Sequence, residues 1–234
     1  MMALVTSDVQ QLFDDAKNIV FLTGAGVSTA SGIPDYRSKG GIYDGMTLRP
    51  EYLLSTEALA KEPEKMYEFA KENMYFPDAQ PNIIHQKMAE LTQKNRARII
   101  TQNVDSLHLK AGAKNVIEFH GSLYNIYATK DGKPSDVNTY LHSLYREDGA
   151  LLRPAITLYG EIPFRVDEAA QWMSQADLVV IVGTSFVVYP FAGLLQYARP
   201  NVPILAVNLE KIPAPAHVEQ IVGDAREFFS ELQV

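Results

Sequence analysis

The chain has 234 residues, 47% of them hydrophobic, and a formal net charge of −7 at pH 7. This acidic balance argues against a general nucleic-acid or membrane-surface binder and suits a protein that accepts basic peptides. The absence of cysteine excludes disulfides, a thiol nucleophile and any thiolate zinc site. No apolar stretch approaches the roughly 20 residues of a membrane span, and no basic-then-apolar leader opens the chain, so we expect a cytoplasmic protein without a membrane partner.

Helical and strand patterns alternate along the chain. The apolar spacing predicts helices over residues 7–17 with Ser7 as the cap, 56–74 with an interruption near Pro63, 83–93 entered through Pro81-Asn82, 106–110, 164–175, 191–198 and 225–232. Apolar runs predict buried strands over residues 19–23, 98–101, 116–119, 155–158, 177–182 and 204–207, the last strand of the sheet. This alternation predicts an α/β fold, with a Rossmann-like parallel sheet covered by helices on both faces.

Two stretches differ in amino-acid composition from the rest of the chain. Residues 38–50 are rich in Gly, Tyr and Asp and predict a loop that closes over a ligand. Residues 122–153 contain four tyrosines and two Gly-containing turns, and predict a small module inserted into the larger fold.

A glycine-rich turn follows the first predicted strand. Thr23-Gly24-Ala25-Gly26 ends the strand, and small residues continue as far as Gly32. Such a backbone can wrap closely around a diphosphate, with its N–H groups facing the anion. The full dinucleotide fingerprint is absent, because Thr29 stands where the third glycine is expected. The glycines alone therefore leave a nucleotide site and an ordinary tight turn equally open.

Polar residues follow three other predicted strands, at the positions where open α/β sheets bind ligands. Gln102-Asn103-Val104-Asp105 follows the second strand, His120 the third, and Gly183-Thr184-Ser185 the strand over 177–182. Each group also has a simpler explanation, namely a cap for the next helix, a structural histidine and a strand-to-helix turn. The other histidines lie in helical or loop contexts that indicate nothing catalytic.

Four motifs, in this order, resemble the signatures of the sirtuins, the NAD-dependent protein-lysine deacylases. They are GAGVSTASGIPDYR over residues 24–37, TQNVDSLH from Thr101, the segment from Arg153 to Glu161 that is similar to RPxxxxFGE, and Gly183-Thr184-Ser185. The match departs mildly from the family pattern, with Tyr36 and Tyr159 in place of Phe and Ser106 in place of Gly.

The resemblance implies a single catalytic domain over residues 1–234. Its large Rossmann-like part would comprise about 1–37, 82–121 and 154–234, and its small module about 38–81 and 122–153. In the implied reaction the acyl-lysine carbonyl oxygen attacks the ribose carbon of NAD that bears nicotinamide, and nicotinamide leaves. His120 then takes a proton from a ribose hydroxyl, and lysine and O-acyl-ADP-ribose are the final products.

The resemblance also implies roles for individual residues. His120 and Asn103 would be catalytic, Asn103 and Asp105 would hold the nicotinamide ribose and carboxamide, Arg37 would face the phosphates, and Tyr36 would shield the reacting carbon from water. The implied NAD-binding residues are Gly24, Ala25, Gly26, Ser28, Thr29, Asp35, Tyr36, Arg37, Gln102, Asn103, Val104, Asp105, Gly183, Thr184, Ser185, Asn208 and Ala225. The substrate peptide would add as a strand between Tyr159-Gly160-Glu161 and Val187-Val188, which grip it mainly through backbone groups.

The main departure from the sirtuin pattern is the missing zinc site. Most sirtuins carry two Cys-x-x-Cys pairs between the positions that match His120 and Arg153, and this chain has none. We expect no metal, and apolar packing would replace the folding energy of the zinc. The residues expected to pack are Tyr124, Ile126, Tyr127, Tyr140, Leu141, Leu144 and Tyr145. A metal held by His142 and nearby acids is the alternative.

Two other functions remain open on the sequence. The same NAD site would serve an NAD glycohydrolase or mono-ADP-ribosyltransferase, against which His120 argues, or a non-catalytic NAD-sensing module. Family members that prefer succinyl-lysine carry a Tyr-x-x-Arg pair, whereas Tyr67 is followed here by Ala70, which favours acetyl or other neutral acyl groups. We expect acyl-lysine proteins or peptides as substrates, no nucleic-acid partner, and a monomer.

Overall fold

The computed structural model describes residues 3–45 and 49–234. Residues 46–48 of the predicted closing loop, and Met1-Met2 at the start of the chain, lie outside the described residues. The described strands are β1 (Ile19–Thr23), β2 (Ala97–Thr101), β3 (Val116–Glu118), β4 (Gly121–Ala128), β5 (Pro134–Ser135), β6 (Leu152–Ile156), β7 (Leu178–Val182), β8 (Ile204–Asn208) and β9 (Glu219–Val222). The described α-helices are α1 (Ser7–Asp15), α2 (Pro50–Leu53), α3 (Thr56–Lys61), α4 (Pro63–Asn73), α5 (Ile83–Gln93), α6 (Leu107–Lys110), α7 (Val137–His142), α8 (Val166–Gln175) and α9 (Ala225–Glu231).

The larger sheet contains six parallel strands in the order β3-β2-β1-β7-β8-β9. The chain runs outward from β1 to β3 on one side and from β7 to β9 on the other, so the strand order switches direction between β1 and β7. In an open parallel sheet, the carboxyl ends of the strands flank a crevice at such a switch point. The predicted Rossmann-like α/β fold is confirmed, whereas the predicted domain boundaries stay a prediction.

Both faces of the six-stranded sheet are buried. Ile19 and Phe21 of β1 lie in one hydrophobic cluster with side chains of α1, α5 and α9. Val20 and Leu22 lie in the other cluster, with side chains of α8. Successive strand residues point to opposite faces, so only an uninterrupted apolar run such as Ile19 to Leu22 can fill both clusters. Burying each such side chain stabilises the fold by about 1.5–3 kcal/mol.

Two expectations about strands are wrong. Residues 155–158 do not resume the parallel sheet, because β6 pairs antiparallel with β4 in a second sheet of order β5-β4-β6. A short apolar run indicates burial but does not identify the strand beside it. The strand over 204–207 is not the last one either, since β9 pairs with β8 at the edge of the larger sheet. Glu219 and Gln220 at the start of β9 weakened the apolar signal for it.

The helix predictions hold except at three points. The break near Pro63 is confirmed, since α3 ends at Lys61 and α4 begins at Pro63. Thr6, and not Ser7, caps α1, because its hydroxyl accepts the Val9 N–H at 3.3 Å. Residues 192–197 form a 3₁₀ helix and not an α-helix, and Ser106 lies outside α6 with a left-handed φ of +57°. Among the described helices, none is long and apolar enough to cross a membrane.

The inserted module over residues 122–153, where most sirtuins carry their zinc-binding cysteines, is built around a small apolar cluster. Ile126, Tyr140 and Leu144 are buried in it and Leu141 packs against it, as expected. Tyr67 and Tyr75, from outside residues 122–153, complete the cluster. The other three expected residues lie elsewhere: Tyr124 packs on the neighbouring cluster, the Tyr127 ring faces the Arg153 guanidinium, and Tyr145 is exposed.

The donor atoms of this module do not fit a zinc ion. The chain has no cysteine, and His142 bonds the Asn138 carbonyl through Nδ1 at 2.7 Å. Within residues 3–45 and 49–234, no three His, Asp or Glu side chains converge on a common point. Apolar packing by the cluster around Tyr140 therefore remains our proposal for what stabilises the module.

Two substitutions of Tyr140 test this packing. The Tyr140 hydroxyl is buried without a hydrogen-bond partner among the described residues, so Tyr140→Phe should leave stability unchanged or raise it by about 1 kcal/mol. Tyr140→Ala removes the ring itself and should lower the free energy of unfolding by about 3–5 kcal/mol. Urea unfolding with and without EDTA measures both effects. A Phe variant as unstable as the Ala variant, or a wild type weakened by EDTA, would contradict the proposal.

Candidate active site at the carboxyl edge of the sheet

A cavity of about 850 Å³ lies at the carboxyl edge of the six-stranded sheet, where the strand order switches. The turns after β1, β2, β7 and β8 line it together with His120, which follows β3. The lining includes Ala25, Gly26, Thr29, Asp35, Tyr36, Arg37, Gln102, Asn103, Val104, His120, Tyr159, Gly160, Glu161, Gly183, Thr184, Ser185, Val187, Val188, Asn208 and Ala225, all named from the sequence. Ser28 and Asp105 line a small adjoining pocket that shares Asn103 and Val104 with the cavity, and Gly24 lines neither.

The turns after β1 and β7 pack backbone against backbone. The Gly26 N–H donates to the Gly183 carbonyl at 2.8 Å, and the Gly24 N–H donates to the Val182 carbonyl at 3.1 Å. A Cβ atom on Gly24 would lie 2.6 Å from Thr184 Cβ, and one on Gly26 would lie 2.8 Å from Gly183 Cα. The glycines therefore let two strand ends approach each other, a requirement that the sequence pattern did not reveal.

Ser28 lies at the centre of a buried polar cluster between two strand ends. Its hydroxyl donates to Asp105 Oδ2 at 2.6 Å and accepts from Asn103 Nδ2 at 3.1 Å. Burial raises the pKa of Asp105, although the hydrogen bonds from Ser28 and from the Leu107 N–H act in the opposite direction. The cluster thus holds an amide and a carboxyl group in fixed positions beside the cavity.

His85 belongs to this cluster, although the sequence indicated no role for it. Its Nδ1 accepts the Asn82 N–H at 3.2 Å, which leaves the hydrogen on Nε2, 3.5 Å from the Ser28 hydroxyl. Burial lowers the pKa of His85 to about 4, so the ring is neutral at pH 7. The only sequence signal was its place three residues after the Asn82 helix cap.

His120 presents a neutral imidazole to the cavity. Its ring centroid lies 5.5 Å from that of Phe119 and 6.3 Å from that of Phe191. Burial beside these rings lowers the pKa of His120 to about 4, an effect that the Gln102 backbone opposes only in part. At pH 7 the ring can therefore accept a proton from a bound molecule.

The ends of β2, β7 and β8 are joined by side-chain hydrogen bonds. Gln102 Nε2 donates to Thr184 Oγ1 at 2.8 Å, and the Thr184 N–H donates to Asn208 Oδ1 at 2.8 Å. The Asn208 Nδ2 atom is buried and bonds to no described residue, although Asn208 lines the cavity. An amide donor without a partner at this position fits a hydroxyl of a bound sugar.

The segment from Asp35 to Ser38 forms one wall of the cavity. The Asp35 carboxylate accepts hydrogen bonds from the N–H groups of Arg37 and Ser38 and from the Ser38 hydroxyl. Burial alone would raise the pKa of Asp35, but these bonds outweigh it and the pKa is lowered. The Tyr36 ring packs 5.2 Å from the Tyr43 ring, and burial raises the pKa of the Tyr36 hydroxyl.

The sequence model of the Sir2 family matches residues 24–190 of this chain, a range that contains most of the cavity lining. The chain belongs to the Sir2 family. It is 49% identical over 228 residues to an NAD-dependent protein deacetylase of Lactiplantibacillus plantarum, covering 96% of this chain and 97% of the relative. It is 48% identical over 229 residues to an NAD-dependent protein deacetylase of Listeria innocua, covering 97% of this chain and 100% of the relative.

Solved Sir2 structures share the whole fold. A Sir2 chain with a deacetylated p53 peptide and 3′-O-acetyl-ADP-ribose superposes with a TM-score of 0.88 at 34% identity, covering 98% of this chain and 96% of that chain. A Sir2 chain with a p53 peptide and NAD⁺ gives a TM-score of 0.84 at 33% identity, covering 96% and 95%. The resemblance that the four motifs indicated is thereby confirmed over nearly the full length of the chain.

Two exposed segments of this Sir2-family chain border the cavity. Ile162, Val187 and Tyr189 are 85%, 50% and 76% exposed. The Tyr159 backbone is already paired, because its N–H donates to the Leu54 carbonyl and its carbonyl accepts the Thr56 N–H. Gly160, Ile162 and Val187 form no backbone hydrogen bond with any residue that the structure describes. The backbone groups available to an added strand therefore lie at Gly160 and Ile162, just after Tyr159, and at Val187.

Proposed function

We propose that this sirtuin is an NAD-dependent protein-lysine deacetylase that releases nicotinamide, the deacylated lysine and O-acyl-ADP-ribose. The observation that carries the proposal is the neutral His120 imidazole in the cavity formed by the packed turns after β1 and β7. The deacetylase relatives, and the Sir2 structures with peptide, NAD⁺ and acetyl-ADP-ribose, support it.

The residues of the cavity fit NAD. When bound, NAD supplies an electrophilic ribose carbon and the hydroxyl that receives the acyl group. Ala25, Thr29 and Arg37 would hold the phosphates, because a backbone turn beside a fixed cation suits an anion. Gly26 would line this part of the site without donating to it, because its N–H is bonded to the Gly183 carbonyl. Asn208 would hold a ribose hydroxyl through its unpartnered Nδ2 atom. Gln102, Val104, Ser185 and Ala225 line the same cavity and would complete the NAD site.

The Ser28-centred cluster would hold the nicotinamide end. Asn103 and Asp105 offer the ribose hydroxyls and the carboxamide a donor and an acceptor, and Ser28 orients both through its hydrogen bonds. The His85 Nε2–H would donate to the same Ser28 hydroxyl and help to hold it in place. Because these groups are bonded before any ligand arrives, little rearrangement is needed on binding.

His120 would act as the general base and Tyr36 as the shield. A neutral imidazole accepts a proton from the ribose hydroxyl through one ring nitrogen, and a positioned base of this kind contributes about 10²–10⁴-fold to the rate. The half-buried Tyr36 ring, packed on Tyr43, would exclude water that otherwise competes with the lysine substrate.

The substrate peptide would lie between the two exposed segments. The unpaired backbone groups of Gly160, Ile162 and Val187 can add an extended peptide as a strand, with the backbone providing most of the grip. Val188, next to Val187 in the second segment, lines the cavity. Acyl-lysine proteins and peptides are therefore the substrate class that the surface supports.

A neutral acyl group is the substrate that the cavity wall favours. Leu54, Met74, Ile156 and Leu158 give the lining an apolar region. The Tyr67 hydroxyl donates instead to the Leu141 carbonyl in the small module and does not line the cavity. A higher kcat/KM for a succinyl-lysine peptide than for the acetyl-lysine peptide of the same sequence would overturn this assignment.

Mass spectrometry of the reaction products tests the proposed function. An acetyl-lysine peptide incubated with NAD and the protein should give deacetylated peptide, nicotinamide and O-acetyl-ADP-ribose in equal amounts. Nicotinamide and plain ADP-ribose with the peptide still acetylated would favour the glycohydrolase, and ADP-ribosylated peptide would favour the transferase. NAD binding without any turnover would favour the NAD-sensing module.

The pH dependence should follow the lowered pKa of His120. Protonated imidazole cannot act as a base, so kcat/KM should rise through an acid limb near pH 4 and stay level through pH 6.5. The unfolded chain binds more protons than the folded one between these values, so stability also declines as the pH falls below 6.5. Circular dichroism at each pH separates the two effects. An acid limb centred at pH 6.5 in the folded enzyme would contradict the prediction.

Three further expectations belong to this proposal. We expect a monomer and a cytoplasmic protein, and the net charge of −7 argues against a nucleic-acid partner. Light scattering after size-exclusion chromatography would measure the first, and a mass near twice that of the chain would contradict it.

A further inference from the structure

An ion pair between a buried arginine and a half-buried glutamate lies beside the segment that would hold the peptide. Arg153 in β6 is only 5% exposed, and its guanidinium donates two parallel hydrogen bonds to Glu161, NH1 to Oε1 at 2.8 Å and NH2 to Oε2 at 3.1 Å. The same guanidinium donates to the Ile156 carbonyl at 2.8 Å, and Glu161 Oε2 accepts the Leu158 N–H at 2.8 Å. Arg153 therefore bonds both the first residue of the loop over residues 156–161, through the Ile156 carbonyl, and the last one, through the Glu161 carboxylate.

The loop over residues 156–161 is bonded to the backbone of His120, the proposed base, and leads into the segment that would bind the peptide. The Thr157 N–H donates to the His120 carbonyl at 2.8 Å, and the Tyr159 backbone pairs with Leu54 and Thr56 at the start of α3. The unpaired backbone groups of Gly160 and Ile162 follow immediately. Any change in the path of the loop would shift these groups relative to His120.

We propose that Arg153 and Glu161 are positioning residues, which hold the substrate-binding edge at Gly160 and Ile162 in register with His120. Glu161 thus acts through its side chain, in addition to any backbone contact with the peptide. The inference rests on the proposed deacetylase function, and it gives both residues a role that acts through the loop and not through a contact with NAD.

The three hydrogen bonds to Glu161 and Ile156 require the planar guanidinium group of an arginine at position 153. A guanidinium can bond both carboxylate oxygens and a carbonyl at the same time, whereas a lysine ammonium is a single point charge on a flexible stem. Arg153→Lys keeps the charge and loses the fork, so the loop should lose its fixed path while the net charge is unchanged.

Steady-state kinetics with an acetyl-lysine peptide test the proposal. For Arg153→Lys we expect the KM for peptide to rise about tenfold, the equivalent of losing about 1.4 kcal/mol of binding, with kcat changed less than about twofold and the KM for NAD unchanged. Arg165→Lys is the matched control, because Arg165 forms a similar two-bond pair with Glu168 on the surface, away from the cavity. It should leave all three constants unchanged.

Glu161→Gln provides a second variant should Arg153→Lys fold poorly. Glutamine keeps one carbonyl acceptor, so the Leu158 N–H can stay bonded while the charged fork is lost. The same rise in the KM for peptide is expected, together with a lower thermal midpoint, because the buried Arg153 loses its counter-ion. An unchanged KM for peptide in a folded variant, or equal losses with peptide and NAD, would overturn the proposal.

Hydrogen exchange separates this proposal from the proposed function. The hydrogen-bonded amides of Thr157, Leu158 and Tyr159 should exchange at least about tenfold faster in Arg153→Lys than in the wild type, whatever reaction the enzyme catalyses. A wild type that makes no O-acetyl-ADP-ribose would refute the deacetylase function and leave this result standing. Unchanged exchange in this segment would refute the positioning role alone.

Discussion

His120→Ala is expected to lower kcat for deacetylation by about 10²–10⁴-fold, the contribution of a positioned general base. The imidazole lines the cavity, and its lowered pKa keeps it neutral and able to accept a proton at pH 7. Alanine removes the proton acceptor and leaves a hole beside Phe119 and Phe191, which a water molecule can enter. Solvent is a weak substitute, because it is not held at a fixed distance from the reacting hydroxyl.

The prediction is tested by measuring the rate at which the wild type and His120→Ala form O-acetyl-ADP-ribose. NAD should raise the thermal midpoint of His120→Ala as it does that of the wild type, because the groups assigned to the phosphates are unaltered and NAD still binds. His142→Ala is the matched control, because His142 lies on α7 outside the cavity lining and its loss should not change kcat. If His120→Ala kept more than about one tenth of the wild-type rate, another group would have to be the base.

Gly183→Ala is expected to lower the free energy of unfolding by about 2–4 kcal/mol, through a strained backbone and a backbone clash together. Gly183 has a φ of +61°, and a Cβ atom there would lie 2.6 Å from the Val27 nitrogen and 2.8 Å from the Gly26 carbonyl carbon. Neither atom belongs to a side chain that can rotate away. The turns after β1 and β7 must therefore separate, which would also weaken NAD binding at Gly26.

Gly132→Ala isolates the contribution of the backbone strain. Gly132 has a similar φ of +69°, but nothing lies within 4 Å of the position that its Cβ would take. This control should lose only about 1–2 kcal/mol, the cost of a left-handed conformation for alanine. Urea unfolding of both variants and isothermal titration with NAD provide the comparison. Equal losses in the two variants, with NAD affinity unchanged, would show that the two turns need not pack closely.

Local sequence patterns predicted five of the six strands of the larger sheet and the polar residues that follow three of them. The apolar runs of β1 and β7 predict strands that are buried on both faces, and the polar residues after β2, β3 and β7 predict a site at their carboxyl ends. These features follow from sequence because neighbouring residues alternate between faces, and because parallel strands bring their ends to one edge. The sirtuin resemblance then named the ligand, which the glycines alone had left open.

Contacts between distant residues could be found only in the folded chain. His85 was assigned no role because its partner Ser28 lies on another element, and β6 was placed in the wrong sheet because an apolar run does not specify its neighbour. The cluster around Tyr140 likewise includes Tyr67 and Tyr75 from outside the inserted module.

The sequence by itself determined the fold class, the family and the residues at the strand ends, since each depends on local patterns. Only the tertiary structure decided why Gly24 and Gly26 are glycines, which groups fix Ser28, and how Arg153 and Glu161 hold the peptide-binding loop. The physical reason is that close backbone approach and buried hydrogen bonds depend on distances across the fold, which no spacing along the chain encodes.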